Sequence, residues 1–488
     1  MVPAASMRRL TTCLLASLAL PACSESADVA REGEIASVLA RADEAQIRAR
    51  PQLTAGKYSR MAGSLHAYHR GSLAVFRSDF RANHLGLAVS RFELEHPLVL
   101  GTGDPHFENY GVLVGADGEL ALEPNDFDSA DRLPYLWDVR RLAVGMVLAA
   151  HASNPSAPAA HDATVAEERG IAAAVADGYV NALSALAQGA APVRVTSGGD
   201  SGILTDALSR SEGDLAAREE LAELTLLEGG RRRLLRGAPD PSDPSQTLAD
   251  LPPNVLAALP ATLARYRATL LAPPPAEDFQ VLDAARVFGK GVASWARVRI
   301  FILVRGPSDA PEDDLVLELR ELGDSGLGGW YPPGEYYDDV GARILATSRA
   351  AWARPDAAPL WGVSELLGLP CQIKWETEGQ KTLRVARLVG LLGSASALTA
   401  AARRLGEIQA RIHASGGSAG ALWGRISGDT SGFVAEQAEV AVRYARQVRA
   451  DHALFGSALE HLGPNLGVVA AEGDAPPPDL AALIGAPP

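Results

Sequence analysis

The chain has 488 residues, 47% of them apolar and 21% charged, with 47 Gly and 32 Pro. That mix excludes a disordered polyelectrolyte, a collagen-like repeat and a coiled coil, and the length implies two or three cores or one large two-lobed enzyme. The formal charge is −14, and 45 Lys+Arg against 59 Asp+Glu without a basic run argue against nucleic acid as a partner.

In chain order, Arg8 and Arg9 precede an apolar stretch from Leu10 to Leu20, too short for a bilayer span, followed by Leu20-Pro21-Ala22-Cys23-Ser24. This predicts a secretory signal over residues 1–22. Cys23 resembles the cysteine of a bacterial lipobox. The resemblance implies an acylated first residue of the mature chain and a periplasmic-side membrane anchor. Pro21 is unusual in its slot, and ordinary cleavage is the alternative. With Cys13 and Cys23 in this region, Cys371 is the remaining thiol. No later segment reads as long and apolar enough to cross a membrane.

Residues 23–50 read as a tether helix, with charged and apolar residues at helical spacing from Glu32 to Arg50. Over 51–150 the pattern changes to short apolar runs between Gly and Asp turns. Leu98 to Leu100 and Gly111 to Val114 read as strands, Ala116-Asp117-Gly118 as a hairpin turn and Leu120 to Leu122 as its return. Asp138 reads as the cap of a helix from Val139 to about Ala150. Residues 151–276 read as an Ala-rich helical insertion without a chemical motif. Over 277–385, Gly289-Lys290-Gly291-Val292-Ala293-Ser294 leads into strands at Arg297–Arg305 and Leu315–Leu322, and Lys374 lies on a third, Cys371–Trp375. Residues 386–460 return to helix, from Ser394 to His413 and from Gly432 to Leu454, and 461–488 read as a flexible tail. The chain has four lysines, Lys57, Lys290, Lys374 and Lys381, so a mechanism needing one has few choices.

The chemistry concentrates in Gly103-Asp104-Pro105-His106-Phe107-Glu108-Asn109 and, after a short hairpin, Asp126-Phe127-Asp128. Phosphoryl transfer passes through a loose transition state, so a protein mainly positions the acceptor and neutralises charge. An Asp on a tight loop can receive the acceptor's proton. An Asn five residues on and an Asp on the returning strand offer hard oxygens suited to Mg²⁺.

This Asp-x-His-x-x-Asn, hairpin, Asp-Phe-Asp order resembles the catalytic and metal loops of aminoglycoside and choline kinases, in the protein-kinase-like superfamily. Trp137-Asp138-Val139-Arg140-Arg141 resembles the run that follows their metal aspartate, where the later Asp packs beneath the catalytic loop. More closely, the chain is similar from about Gln52 to Leu454 to the uncharacterised bacterial family catalogued as domain of unknown function 2252. The matching residues are Lys57 to Met61, Tyr68 to Gly71, Gly103 to His106 with Asn109, Asn125 to Asp128, Gly289 to Ser294, and the regions of His413 and Tyr444 to Gln447.

The resemblance implies an α+β, protein-kinase-like two-lobed fold over 51–460, with helical insertions and with the Gly-rich hairpin placed after the catalytic loop, the reverse of ordinary kinases. It implies a Mg²⁺-dependent phosphotransferase or nucleotidyltransferase using ATP or another nucleotide. Asp104 would be catalytic; Asn109, Asp126 and Asp128 would serve the metal. Gly289, Gly291 and Arg320 would face the nucleotide, supported by His106, Asp138 and Arg70. Kinases place a lysine on the strand after the Gly-rich hairpin, whereas this chain has Leu319-Arg320-Glu321, an exchange that is not conservative. Lys374 is the other candidate cation. The rival expectation is a non-catalytic, kinase-like envelope lipoprotein that binds a ligand or partner. A binuclear hydrolase around Asp104 and His106 would need further His pairs, but His151, His161, His413, His452 and His461 are isolated. Ser72 and Ser294 lack a His-Asp pattern for nucleophilic chemistry. The acceptor, small molecule or protein, is open.

Overall fold

The computed structural model describes residues 20–94, 96, 98–151, 163–217, 219–236, 248–288, 290–327, 337, 339–376, 379–391, 397–471, 481 and 483–484. Helices α1 (Leu20–Ala42), α2 (Glu44–Ala49), α3 (Pro51–Ala62), α4 (Leu65–Gly71) and α5 (Leu73–Arg81) open the fold. They lead to β1 (Val99–Gly101), β2 (Tyr110–Val114), β3 (Leu120–Pro124), β4 (Asp131–Leu133) and α6 (Tyr135–Ala149). Then come α7 (Val165–Ala187), α8 (Gly202–Ala217), α9 (Glu219–Leu224), β5 (Thr225–Glu228), β6 (Arg231–Leu234), β7 (Leu248–Asp250) and α10 (Pro253–Arg267). The strands β8 (Val281–Val287), β9 (Arg299–Val304) and β10 (Leu315–Glu321) precede α11 (Val340–Ala351), β11 (Gly362–Leu366) and β12 (Leu369–Trp375). The chain closes with α12 (Val385–Leu391), α13 (Leu398–Ala414), α14 (Ala419–Ile426) and α15 (Thr430–Leu462).

The fold is α+β. One antiparallel sheet runs β11-β12-β10-β9-β8-β7, and the helices α1, α6, α7, α13 and α15 pack together beside it. Period-two alternation on β10 gives the sheet two unlike faces. Leu317 and Leu319, with Ile300, Ile302, Cys371 and Ile373, pack under Leu259 and Leu263 of α10. On the other face Arg320 stands in register with Arg299 and Gln372, and Glu318 with Lys374. That polar face, buried and turned toward the helical body, is what the site is built on.

The β2–β3 hairpin forms with Val112 opposite Leu122, in agreement with its turn chemistry. Several segments differ from their sequence reading. The tether segment forms α1 and α2 and is part of the core: Ile35, Ala36, Leu39 and Ile47 are buried, and Arg31 forks to Asp79 and Asp451. The supposed helical insertion supplies α7, which packs on α13, α15 and α6, and the edge strand β7. Helix α7 is long and apolar enough to cross a membrane, contrary to expectation, but 56% of its apolar window is buried inside the protein. In the expected tail, Leu483 and Ile484 are buried in the sheet's apolar core. Helix α6 starts at Tyr135 with Pro134 as its N-cap, so Asp138 lies in the first turn and caps nothing on its own helix. Residues 1–19 and the side chain of Cys23 lie outside the described residues, as does Gly289.

Candidate active site

The loop after β1 is held from three directions. Gly103 has φ of 76°, and a Cβ there would lie 1.9 Å from the Ser129 carbonyl oxygen, so only glycine fits. The Asp138 carboxylate accepts from Thr102 N (2.7 Å) and Gly103 N (3.1 Å), and from Gln409 Nε2 at 2.8 Å. This satisfies backbone donors that burial would otherwise leave unpaired. From α5, Arg77 donates to Ser325 O at 2.5 Å and to Gly103 O and Ser129 O at 3.4 Å. From α6, Arg141 donates through Nε to Asp104 Oδ1 at 2.8 Å and through Nη2 to the His69 carbonyl. Asp104 is buried, and burial pushes its pKa up even against Arg141 and Arg77. A carboxylate raised in this way is better suited to take a proton.

The Asn109 amide donates to the Asp104 carbonyl at 2.8 Å. The hairpin then returns the chain alongside, with Asn125 N donating to Asn109 O at 3.0 Å, and so delivers Asp126 to Asn109. Burial alone would raise Asp126, but Arg320, the Asp128 N–H, Arg70 and Arg297 outweigh it and hold the carboxyl below its usual range. Arg320 Nη2 lies 3.3 Å from Asp126 Oδ1, 2.8 Å from Asp128 Oδ1 and 3.1 Å from Gln372 Oε1. Asp128 Oδ2 accepts from Arg297 at 3.0 Å.

The Gly-rich turn between β8 and β9 reaches this loop. Gly291 has φ of 84°, and Val292, Ala293 and Ser294 line a small cleft of about 40 Å³ together with Asp104, Asn109, Asp126 and Asp128. Arg70, Asn109, Asp126 and Ser294 also border a larger cavity of about 520 Å³ between the sheet and the helical body. Among the described residues nine cationic side chains line it, Arg60, Arg70, Arg210, Lys290, Arg299, Arg320, Lys374, Lys381 and Arg384, and four carboxylates face them, from Glu108, Asp126, Glu318 and Glu376. A chain of net charge −14 thus gathers three of its four lysines and a surplus of positive charge in one place, the charge signature of a polyanion site.

The internal pairs show how the cations are arrayed. Lys290 Nζ lies 3.0 Å from Glu376 Oε1, and Lys374 Nζ lies 3.3 Å from Glu318 and 3.5 Å from Glu376. Burial opposes the charge of Glu376, but Lys290 and Lys374 hold it well below the usual carboxylate range. Burial lowers Lys374, with Glu376 opposing. Arg70 meets Glu108 at 2.6 Å. Glu108 also accepts from Val385 N at 2.9 Å, and against burial its partners, His66 and Arg70 foremost, hold it at about 2.

His106 is fully buried and lowered by burial, its ring 6.1 Å from His66 and 6.5 Å from His69. Its Nε2 is 3.8 Å from Asp104 Oδ2, beyond hydrogen-bond reach, so it packs the loop as a neutral ring. Asp138, Arg70, Arg320 and Lys374 all stand at the site. Sequence reasoning passed over Arg77, Arg210, Glu318, Glu376 and Arg384, and named Lys381 only as one of the four lysines and Arg141 only within the run after Asp138. The rarity of lysine was the one signal that marked some of this set.

The donor set suits a hard cation. Asn109 Oδ1 and Asp126 Oδ2 make no hydrogen bond among the described residues, and both belong to side chains bordering the cavity. Two such oxygens, completed by water and substrate phosphates, are how Mg²⁺ is commonly bound. Asp128 has each oxygen on an arginine, so it anchors Arg297 and Arg320 instead. Asp104 and His106 join no cluster of three metal-ligating groups; among the described residues such a cluster is Glu34, Asp79 and His84, and Asp79 already holds Arg31 and Tyr444.

The chain belongs to a bacterial family: the profile described as "uncharacterized protein conserved in bacteria (DUF2252)" matches residues 48–458. No curated protein and no solved structure matches it.

Proposed function

We propose that this protein is a kinase-like, Mg²⁺-dependent phosphotransferase that moves a phosphoryl group from ATP or another nucleotide to a hydroxyl acceptor. One observation carries the reading: Asn109, Asp126 and the Gly-rich turn border a cavity where, among the described residues, nine cations face four carboxylates, and Asp104 lines the small cleft that shares Asn109 and Asp126 with it. In this reading Asp104 takes the acceptor's proton, its carboxylate oriented by Arg141. Asn109 and Asp126 hold Mg²⁺, which neutralises phosphate charge when bound. Lys290, Lys374 and Arg70 receive the phosphates, and the backbone at Gly291 covers them. Arg320 stands on the strand where kinases carry their lysine, but it grips Asp126 and Asp128, so its role is to set the metal loop. Export on the signal at residues 1–22 and acylation at Cys23 belong to the same proposal.

The second reading, a non-catalytic ligand-binding lipoprotein, draws on that same grip, because Arg320 occupies carboxylate oxygens that a metal would use. It also suits an envelope location, where ATP is scarce. Thermal unfolding with Mg²⁺ and a nucleotide panel separates the two. A nucleotide at 100 times its Kd adds about 2.7 kcal/mol of apparent stability. A Mg²⁺-dependent shift that disappears in Asp126→Ala supports the enzyme. No shift with any nucleotide rejects it in favour of the second reading.

A further inference from the structure

Seven of the nine cavity cations fall into two groups. Lys290, Arg299, Arg320 and Lys374 belong to the sheet side, and Glu318, Glu376 and the metal loop answer them. Arg210 of α8 and Lys381 and Arg384, which lead into α12, line the cavity from two helical elements that touch each other. Arg210 and Lys381 are held by Asp206 (2.8 Å) and Asp214 (2.9 Å), neither of which borders the cavity. The Arg384 side chain is 58% exposed, and the carboxylate it faces, Glu108, lies 3.9 Å away and already takes Arg70 at 2.6 Å. The cavity's apolar side chains are Val112, Leu113 and Trp361, so this end is a charged recess, not a greasy slot.

We propose that Arg210, Lys381 and Arg384 form a second phosphate subsite, separate from the one for the donor's triphosphate. Two guanidinium forks and an ammonium offer a phosphate dianion charge-assisted N–H donors. The assignment rests on the phosphotransferase reading only in giving the sheet wall to the donor. The phosphate belongs either to a phosphorylated acceptor or to a second phosphate group on the nucleotide. With a phosphorylated acceptor, its free hydroxyl oxygen bonds to the γ-phosphorus as the β–γ bridging P–O bond breaks. The hydroxyl proton passes to Asp104, and the bond's electron pair leaves on the nucleoside diphosphate.

Calorimetry on the full chain tests the subsite with inorganic phosphate and, separately, Mg²⁺–tripolyphosphate as probes. Phosphate is expected to bind alongside Mg²⁺–tripolyphosphate, and to bind about tenfold or more weakly in the Lys381→Gln/Arg384→Gln double variant, whose tripolyphosphate affinity stays within about threefold. Asp126→Asn is expected to do the reverse. If the double variant fails to fold, Arg384→Gln alone, on an exposed side chain, shows the same direction. Phosphate affinity unchanged by these variants, or phosphate that only competes with tripolyphosphate, overturns the subsite. Failure of Mg²⁺–tripolyphosphate to bind the wild type, with phosphate binding kept, sinks the phosphotransferase reading and leaves the subsite standing. Displacement of phosphate by glucose 6-phosphate places the group on the acceptor; displacement by adenosine 3′,5′-bisphosphate places it on the nucleotide.

Discussion

Replacing Arg31 by Ala isolates the junction between the N-terminal helix and the rest of the fold. Its guanidinium donates to both oxygens of Asp79 (2.8 and 2.7 Å) and both of Asp451 (3.0 and 2.6 Å). The three side chains are 8%, 1% and 1% exposed. Burial opposes the Arg31 charge, but the two aspartates more than restore it and hold its pKa above its ordinary value. The variant leaves two carboxylates buried near each other, with the Tyr444 hydroxyl on Asp79 and the Gln447 amide on Asp451 as their remaining donors among the described residues. Breaking a buried pair in this way costs about 3–5 kcal/mol, against about 0–1 kcal/mol for a surface pair. Urea unfolding of the full chain at neutral pH reads the loss. The triple variant Arg31→Met/Asp79→Asn/Asp451→Asn, which removes every buried charge of the network and leaves only the solvent-exposed Glu34, is expected to recover most of it. A loss below about 1 kcal/mol, or a triple variant no better than the single one, would refute the argument that α1 is a core element. Because α5 carries both Asp79 and Arg77, the single variant is also expected to loosen the loop at Gly103 and Asp104.

Asp138→Ala strips Thr102 N, Gly103 N and Gln409 of their acceptor; a loss of roughly 3 kcal/mol or more in unfolding is expected, and less than about 1 kcal/mol would mean that the loop does not depend on it. Glu108 titrates at about 2 in the fold against an ordinary 4.5, so its stabilisation is complete above about pH 4.5 and is lost as pH falls toward 2. That difference amounts to roughly 3 kcal/mol, and Glu108→Gln should flatten the unfolding profile between those limits; an unaltered profile counts against the pairing. Burial pushes the Cys371 thiol up to about 12. Iodoacetamide at pH 8 should therefore label the Cys371 peptide only after denaturation, and labelling of the native protein would contradict the packing of β12.

What was legible in the sequence was local. The hairpin from Tyr110 to Pro124 follows from its own turn residues and the short apolar runs on either side, and the Asp104/Asn109/Asp126 spacing is itself the geometry, since the hairpin alone closes it. As a cap Asp138 misled, because an acidic residue before an apolar run reads as one; its partners, Thr102 and Gly103 after β1, put it beneath the loop, where the resemblance and not the local pattern had set it. Helix α7 shows no sign in its own residues that α13 and α6 will cover it. The cationic cavity was hidden for the same reason: Arg210, Lys290, Lys374 and Lys381 are scattered over four elements or their loops, and only the packing of the sheet against the helical body assembles them.

The central claim is tested most directly by electron paramagnetic resonance of Mn²⁺, standing in for Mg²⁺, titrated into the full chain with saturating nucleotide. The account predicts a protein-bound Mn²⁺–nucleotide signal in the wild type, weakened about tenfold or more in both Asn109→Ala and Asp126→Asn, with Asp128→Asn less affected. Equal Mn²⁺ affinity in the wild type and in both variants would contradict it.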